Sequence, residues 1–315
     1  MKKTLVMILA LMLALAVPAF AEEETFTVGI CQLVQHEALD AATEGFKAAL
    51  TEKLGDKVEF NEQNASGDPA TCITIINTFI SEDVDLILAN ATPALQAAQA
   101  ATADIPILGT SVTDYATALD ISDWTGATGM NISGTSDLAP LDGQAEMVKE
   151  LFPDAKEVGL LYCSAEANSA YQIGVIKEYL TELGYNCTEY AFTDSNDVAS
   201  VTTNACATSD VLYIPTDNTA ASCTEAIRNV LETEGKAAVV GEEGICAGCG
   251  VATLSISYYD LGVATGEMAY EILAEGADVS TMDVRFAPNF TKKYNAEMCE
   301  LLGVTIPEGY VAIGE

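Results

Sequence analysis

The chain has one histidine, His36, among 315 residues, and 13 lysines and arginines against 47 aspartates and glutamates. A single imidazole excludes a His-rich metal centre, and any His-dependent triad would have to be built on that one residue. The net charge of −34 repels nucleic acid and anionic lipid headgroups, so neither is expected as a partner. No G-x-S-x-G, P-loop or dinucleotide fingerprint stands in a usable context. Paired carboxylates are so common in an acidic chain that no particular pair marks a general acid and base. Catalysis is therefore not expected, and neither is a cofactor or a metal.

The apolar run from Leu5 to Val17 is shorter than the roughly 20 residues a membrane span needs. It follows Lys2 and Lys3 and precedes Ala19-Phe20-Ala21 and three glutamates. Those are the charged, apolar and small-x-small parts of a signal peptide, cut after Ala21. The mature chain is expected in a periplasm or at a cell surface, with no Cys at its new N-terminus to carry a lipid.

Nine cysteines in an exported chain suggest a disulfide framework. The number is odd, however, and Cys31, Cys72, Cys163 and Cys206 lie in apolar segments, as small buried hydrophobes do. Cys246-Ala247-Gly248-Cys249 fits a local disulfide, inert thiols, or redox or metal chemistry. The pair reads as a Gly-rich turn between strands, whereas a thioredoxin-like pair opens a helix. Zinc would lack two further ligands nearby.

Apolar strands alternate with amphipathic helices from Phe26 almost to the end. Strands are expected at Phe26–Gln32, Val58–Asn64, Asp85–Asn90, Ile105–Val112 and Ala127–Ser133. A second series covers Val158–Cys163, Asn186–Phe192, Val211–Thr216, Ala237–Gly241 and Val251–Ser257. Helices are expected between them, including Pro69–Ser81 with Asp68 as its N-cap, Ala220–Glu234 and, near the end, Tyr294–Leu302. Two such series mean an α/β protein of two Rossmann-like lobes with parallel sheets. Lobe 1 would take 26–137 plus 256–285 and lobe 2 would take 138–255 plus 286–315, so that the chain crosses a hinge three times.

In open α/β sheets, ligands settle outside the carboxyl ends of strands, where helix N-termini present free N–H groups. Nearly every strand end here carries polar side chains. Gln32 and His36 follow the first strand, Thr92 the third, and Thr113-Asp114 the fourth. Ser136-Asp137 lies between the halves, and Asn168-Ser169, Asp217-Asn218 and Glu242 stand at strand ends of the second half. In one fold they would face a single cleft.

The segments "VGICQLVQHEALDAATEGF" (Val28 to Phe46), "NASGD" (Asn64 to Asp68) and "DLILANATPALQAA" (Asp85 to Ala98) resemble ABC-transporter substrate-binding proteins of the tryptophan/tyrosine type. So do "SVTDYATAL", "NISGTSDLAP", "SAEANSAYQ", "YIPTDNTAAS" and "ATLSISYYDLG". The resemblance covers essentially the whole mature chain. It implies a type I periplasmic-binding fold and an aromatic amino acid enclosed between the lobes. It carries ligand contacts to Thr92, Thr113, Asp114, Ser136, Asn168, Ser169, Asp217 and Asn218. The sequence departs from the family at Tyr115, where proline usually follows "VTD", at Cys163, and at the two cysteines of "EEGICAGCG".

For such a ligand the carboxylate would take a helix start and the hydroxyls of Thr92, Ser136 or Ser169. The ammonium would take Asp217, with Asp114 or Glu242 as alternatives. Tyr115, Tyr171 or Tyr258 would supply an aromatic wall. The expected partners are the solute and an ABC importer permease, the protein acting as a monomer that meets the membrane only through that permease. Three other readings stay open: a receptor for a branched amino acid, nucleoside or sugar, an extracellular sensor domain, and a CxxC thiol-disulfide oxidoreductase.

Overall fold

The structure, a computed structural model, describes residues 25–314. The expected signal peptide, 1–21, lies outside the described residues. The first half alternates β1 (Phe26–Gln32), α1 (Glu37–Leu54), β2 (Val58–Asn64), α2 (Pro69–Ser81), β3 (Leu86–Asn90), α3 (Thr92–Ala101), β4 (Ile107–Val112), α4 (Tyr115–Leu119) and β5 (Ile132–Ser136). On β3, Leu86 and Leu88 join Val28 and Ile30 in one core cluster, while Ile87 and Ala89 join Cys31 and Leu33 in another. Alternate residues thus enter opposite faces, and apolar neighbours cover both, as the uninterrupted run "LILA" requires. Asp68 begins α2 by accepting from the Ala70 amide, with Pro69 as the first helical residue.

The second half repeats the pattern with α5 (Leu141–Leu151), β6 (Glu157–Cys163), α6 (Ala167–Glu182), β7 (Asn186–Phe192), α7 (Val198–Thr208), β8 (Val211–Ile214), α8 (Asn218–Ser222), α9 (Thr224–Glu234), β9 (Ala238–Val240), α10 (Glu243–Gly248) and β10 (Ala252–Ser255). The chain ends with α11 (Tyr258–Glu275), β11 (Arg285–Phe286), β12 (Thr291–Tyr294), α12 (Ala296–Leu302) and β13 (Val311–Ala312).

The first sheet has the order β11-β5-β4-β3-β1-β2 and is parallel throughout. The second has the order β13-β12-β10-β9-β8-β6-β7, parallel except where β12 meets β10. Each half therefore builds the same central order. The chain passes between the sheets after β5, after β10 and after β11, which is a three-crossing hinge.

After the second crossing, α11 returns to the first lobe and lies against α1. A Cβ on Gly45 would come within 2.1 Å of the Tyr259 carbonyl oxygen, and one on Gly262 within 2.0 Å of the Ala42 oxygen. Only glycine permits backbones to approach so closely. Among the described residues no helix is long and apolar enough to cross a membrane.

The local pattern misled in four places. β5 begins at Ile132 rather than Ala127, because Gly126 and Gly129 take positive φ and leave Ala127 with only a bridge to Asp283. Cys223 divides the expected helix Ala220–Glu234 into α8 and α9. Tyr294 ends a short strand, β12, held between β10 and β13, and α12 starts after the Asn295 cap. Cys246 lies on a short helix, α10, with Cys249 at its C-cap, not in a Gly-rich turn. The Glu242 carboxylate caps that helix from the Gly244 and Ile245 amides.

Candidate ligand cleft

The carboxyl ends of β2, β3 and β4 each carry a non-glycine residue with positive φ: Ser66 at 55°, Ala91 at 93° and Ser111 at 55°. Such backbone is strained and persists only where its surroundings hold it, commonly at ligand sites. Ala91 turns the chain from β3 into α3, whose first residue is Thr92. The Thr92 and Ser111 hydroxyls are buried there without hydrogen-bond partners.

Asp137 follows β5 and is buried. The Tyr258 hydroxyl donates to its Oδ2 at 2.9 Å, Thr113 stands beside it, and Oδ1 has no hydrogen-bond partner. Burial pushes the Asp137 carboxyl up, against the two hydroxyls that lower it. Tyr258 opens α11, so the second hinge crossing delivers this ring to the cleft, where Thr216 of the other lobe also lies against it.

In lobe 2 the organising group is Glu166, at the start of α6. It does not cap its own helix. Its Oε1 accepts from the Thr219 amide at 2.9 Å and the Thr219 hydroxyl at 2.8 Å. Its Oε2 accepts from the Asn218 amide at 3.1 Å, from Asn218 Nδ2 at 2.7 Å and from Asn168 Nδ2 at 3.2 Å. Glu166 thus satisfies the N–H groups that open α8, and its acceptor capacity is full. Gln172 pins the adjoining strand end, accepting from the Thr216 amide at 3.0 Å and donating to the Thr216 carbonyl at 2.9 Å. Asn168 Nδ2 donates to the same carbonyl, leaving its Oδ1 buried without a partner.

Two cavities lie between the lobes. One, of about 330 Å³, has an apolar wall from lobe 1, including Leu33, Val34 and Pro93, and a polar wall from lobe 2, including Glu166, Asp194 and Asn218. The other, of about 410 Å³, lies between Gln35, His36 and Glu37 on one side and Glu242, Ala247 and Gly248 on the other. Neither is lined by Lys or Arg. Between them, His36 Nε2 and Asn218 Oδ1 meet at 3.3 Å across the cleft.

Several residues expected at the site have other duties. Asp217 caps α8, its Oδ1 accepting from the Ala220 amide at 2.8 Å and its Oδ2 from the Cys163 amide at 2.6 Å, with Ser169 beside it. Burial, then the Glu166 charge, push its carboxyl up. Gln32 turns away from the cleft, accepting from Thr43 and donating to Val34 and Asp40 within lobe 1. Tyr115 is not a cleft wall. It is buried in the lobe 1 core, stacked on Trp124 at 6.4 Å, with its hydroxyl on the Thr135 carbonyl. Ser136 is buried and donates to the Thr113 carbonyl at 2.8 Å. Asp114 caps α4 through the Thr117 amide, and half-buried Tyr171 stands near it from lobe 2. Cys246 and Cys249 are free thiols, both buried. Among the described residues no group of three or more His, Cys, Asp or Glu is placed to hold a metal ion.

Glu166 escaped notice in the sequence although "SAEANS" shows a carboxylate at a helix start. Asp137 stands beside Ser136 in the sequence, where nothing distinguishes its carboxylate from the neighbouring hydroxyl as a ligand contact.

Two lobes of like topology around a polar cleft, joined by three crossings, define a solute-binding protein of the periplasmic type I class. The chain belongs to the ABC transporter substrate binding protein family, whose model matches residues 27–313. It is 37% identical over 260 residues to a tyrosine-binding protein of Clostridioides difficile strain R20291, covering 82% of this chain and 75% of that one. A Streptococcus pneumonia ABC domain solved with L-Trp superposes with a TM-score of 0.87 at 30% identity, over 92% of this chain and 100% of that one. A ligand-free, open substrate-binding protein with adhesive properties from Clostridium difficile reaches only 0.69, at 36% identity, over 92% and 99%. The TM-scores run against the identities at equal coverage of this chain, so the lobes stand nearer to the arrangement of the L-Trp complex than to the open one.

Proposed function

We propose that this protein is an exported receptor for an aromatic amino acid, which it encloses between its lobes and delivers to an ABC importer. One observation carries the reading: Asp137 Oδ1, Thr92 Oγ1 and Asn168 Oδ1 are buried at the cleft with no hydrogen-bond partner. Buried polar atoms are normally bonded, so a site that collects several orphans is built for a group that completes them. The ligand's ammonium bonds Asp137 Oδ1 and Asn168 Oδ1, both acceptors. Its carboxylate takes the Thr92 hydroxyl and the N-terminus of α3. Asp137, rather than Asp217, is the ammonium's counter-charge, because its free oxygen is the spare acceptor.

The side chain occupies the cavity of about 330 Å³, at the lower end of the range of about 300–1,000 Å³ usual for small-molecule sites. Pro93 and Glu166 line that cavity and stand next to Thr92 and close to Asn168 in the chain, so head and side chain fall on one path. The relatives named for tyrosine and solved with L-Trp support an aromatic side chain. No bond is made or broken; the ligand bridges the lobes, and the permease reads the closed form. The signal peptide ends at Ala21, and the mature protein acts as a monomer.

Calorimetry with L-tyrosine, L-tryptophan and L-leucine tests the assignment. Wild-type protein binds one or both aromatic amino acids and Asp137→Asn weakens that binding by roughly 10- to 100-fold, the loss of a charge-assisted bond. Unchanged affinity in Asp137→Asn removes Asp137 from the role, and preference for L-leucine removes the aromatic assignment.

A further inference from the structure

The two interlobe cavities are separate, and one hydrogen bond stands between them. Asn218 lines the smaller cavity and His36 the larger, while Ser222 borders both. Asn218 cannot turn aside, because Glu166 holds its backbone N–H and its Nδ2. Its Oδ1 is therefore presented to the opposite lobe as a fixed acceptor, which makes His36 Nε2 the donor. Burial lowers the His36 imidazole from its ordinary value, in keeping with a neutral ring protonated on Nε2. The His36 side chain makes no capping bond to α1, so the helix does not depend on it.

We propose that the His36–Asn218 hydrogen bond is a partition that closes the outer end of the ligand cavity, sets the largest side chain retained and slows the ligand's escape. His36 is a positioning residue here and not a ligand contact. The proposal rests on the solute reading above. With the bond in place, a side chain is confined to the smaller cavity. With His36 truncated, that cavity opens toward the 410 Å³ space lined by Glu37, Glu242 and Gly248. A ligand extended at the far end of its ring then fits.

The test compares L-tyrosine with O-benzyl-L-tyrosine, which lengthens the side chain and leaves the head unchanged. Affinities and dissociation rates are measured for wild type, His36→Ala and His36→Gln, with thermal unfolding as a check on folding. Wild type is expected to prefer L-tyrosine by at least about 100-fold. His36→Ala should narrow the preference to about tenfold or less and speed L-tyrosine release about tenfold, the loss of one hydrogen bond. His36→Gln, which keeps an N–H donor, should restore the wild-type preference. An equal preference in wild type and His36→Ala overturns the partition. A wild-type protein that binds neither L-tyrosine nor L-tryptophan overturns the solute reading instead. The partition is then scored on whatever solute copurifies, and an unchanged release rate in His36→Ala overturns it too.

Discussion

Replacing Glu166 should cost stability and binding together, and the structure says how much. Five donors converge on this carboxylate, two of them the backbone amides of Asn218 and Thr219 at the start of α8. Glu166→Ala leaves both amides without a protein acceptor. An unsatisfied buried group costs about 1–3 kcal/mol, so the pair costs roughly 2–6 kcal/mol. Water reaching them through the adjoining cavity draws the figure toward the lower end. Against a domain stability of about 5–15 kcal/mol this is a large loss. Glu166→Gln keeps the shape but turns one acceptor into a donor. The Thr219 hydroxyl can reverse to accept from the new amide, whereas the Thr219 N–H cannot, so the cost is about half. Urea unfolding followed by circular dichroism, extrapolated linearly, measures both variants. A loss below about 0.5 kcal/mol in the alanine variant, or equal losses in the two, would refute the argument. In the glutamine variant the Asp217 carboxyl should also move down toward its ordinary range, since the Glu166 charge helps push it up.

Glu242 is buried, and burial pushes its carboxyl from about 4.5 up to about 7 in spite of the Gly244 and Ile245 amides. The folded form therefore holds a proton that the unfolded form releases across that window. Its contribution to stability is full at the acid end and falls as pH rises from about 4.5 to about 7, by up to about 1 kcal/mol per unit. Urea unfolding of Glu242→Gln at pH 5, 6 and 7 should show a flatter dependence than wild type; parallel curves would exclude Glu242 as the source. Nine free cysteines, of which only Cys187 and Cys223 are not buried, predict about two thiols reactive with Ellman's reagent in the native state and nine after denaturation without reductant. Seven after denaturation would mean that one pair, such as Cys246 and Cys249, is oxidised.

The lobes were legible because both faces of their central strands are covered: "LILAN" and "VLYI" admit no reading as amphipathic surface. Short polar strands were not legible. "TKKY" forms β12 only because β10 and β13 lie on either side of it, and no periodicity in four residues announces that. Helix α10 escaped for a related reason, since glycines fill its ends and only the folded position of Glu242 caps it. At the cleft, the strand ends could be named from the sequence, but not which carboxylate had an oxygen to spare. Asp217 is committed by an amide on β6, more than fifty residues away, whereas Asp137 holds the Tyr258 hydroxyl on Oδ2, with Thr113 beside it, and keeps Oδ1 free. That distinction belongs to tertiary structure alone.

The glycine contacts between α1 and α11 act like a gear mesh without backlash. Side chains at a helix interface take up small displacements by changing rotamer, but Gly45 and Gly262 have none to change, and each abuts a backbone carbonyl. Movement at the start of α11, immediately after the second crossing, is passed to the first half of α1. At the head of that helix stands His36, so the hinge and one wall of the cleft behave as one machined part.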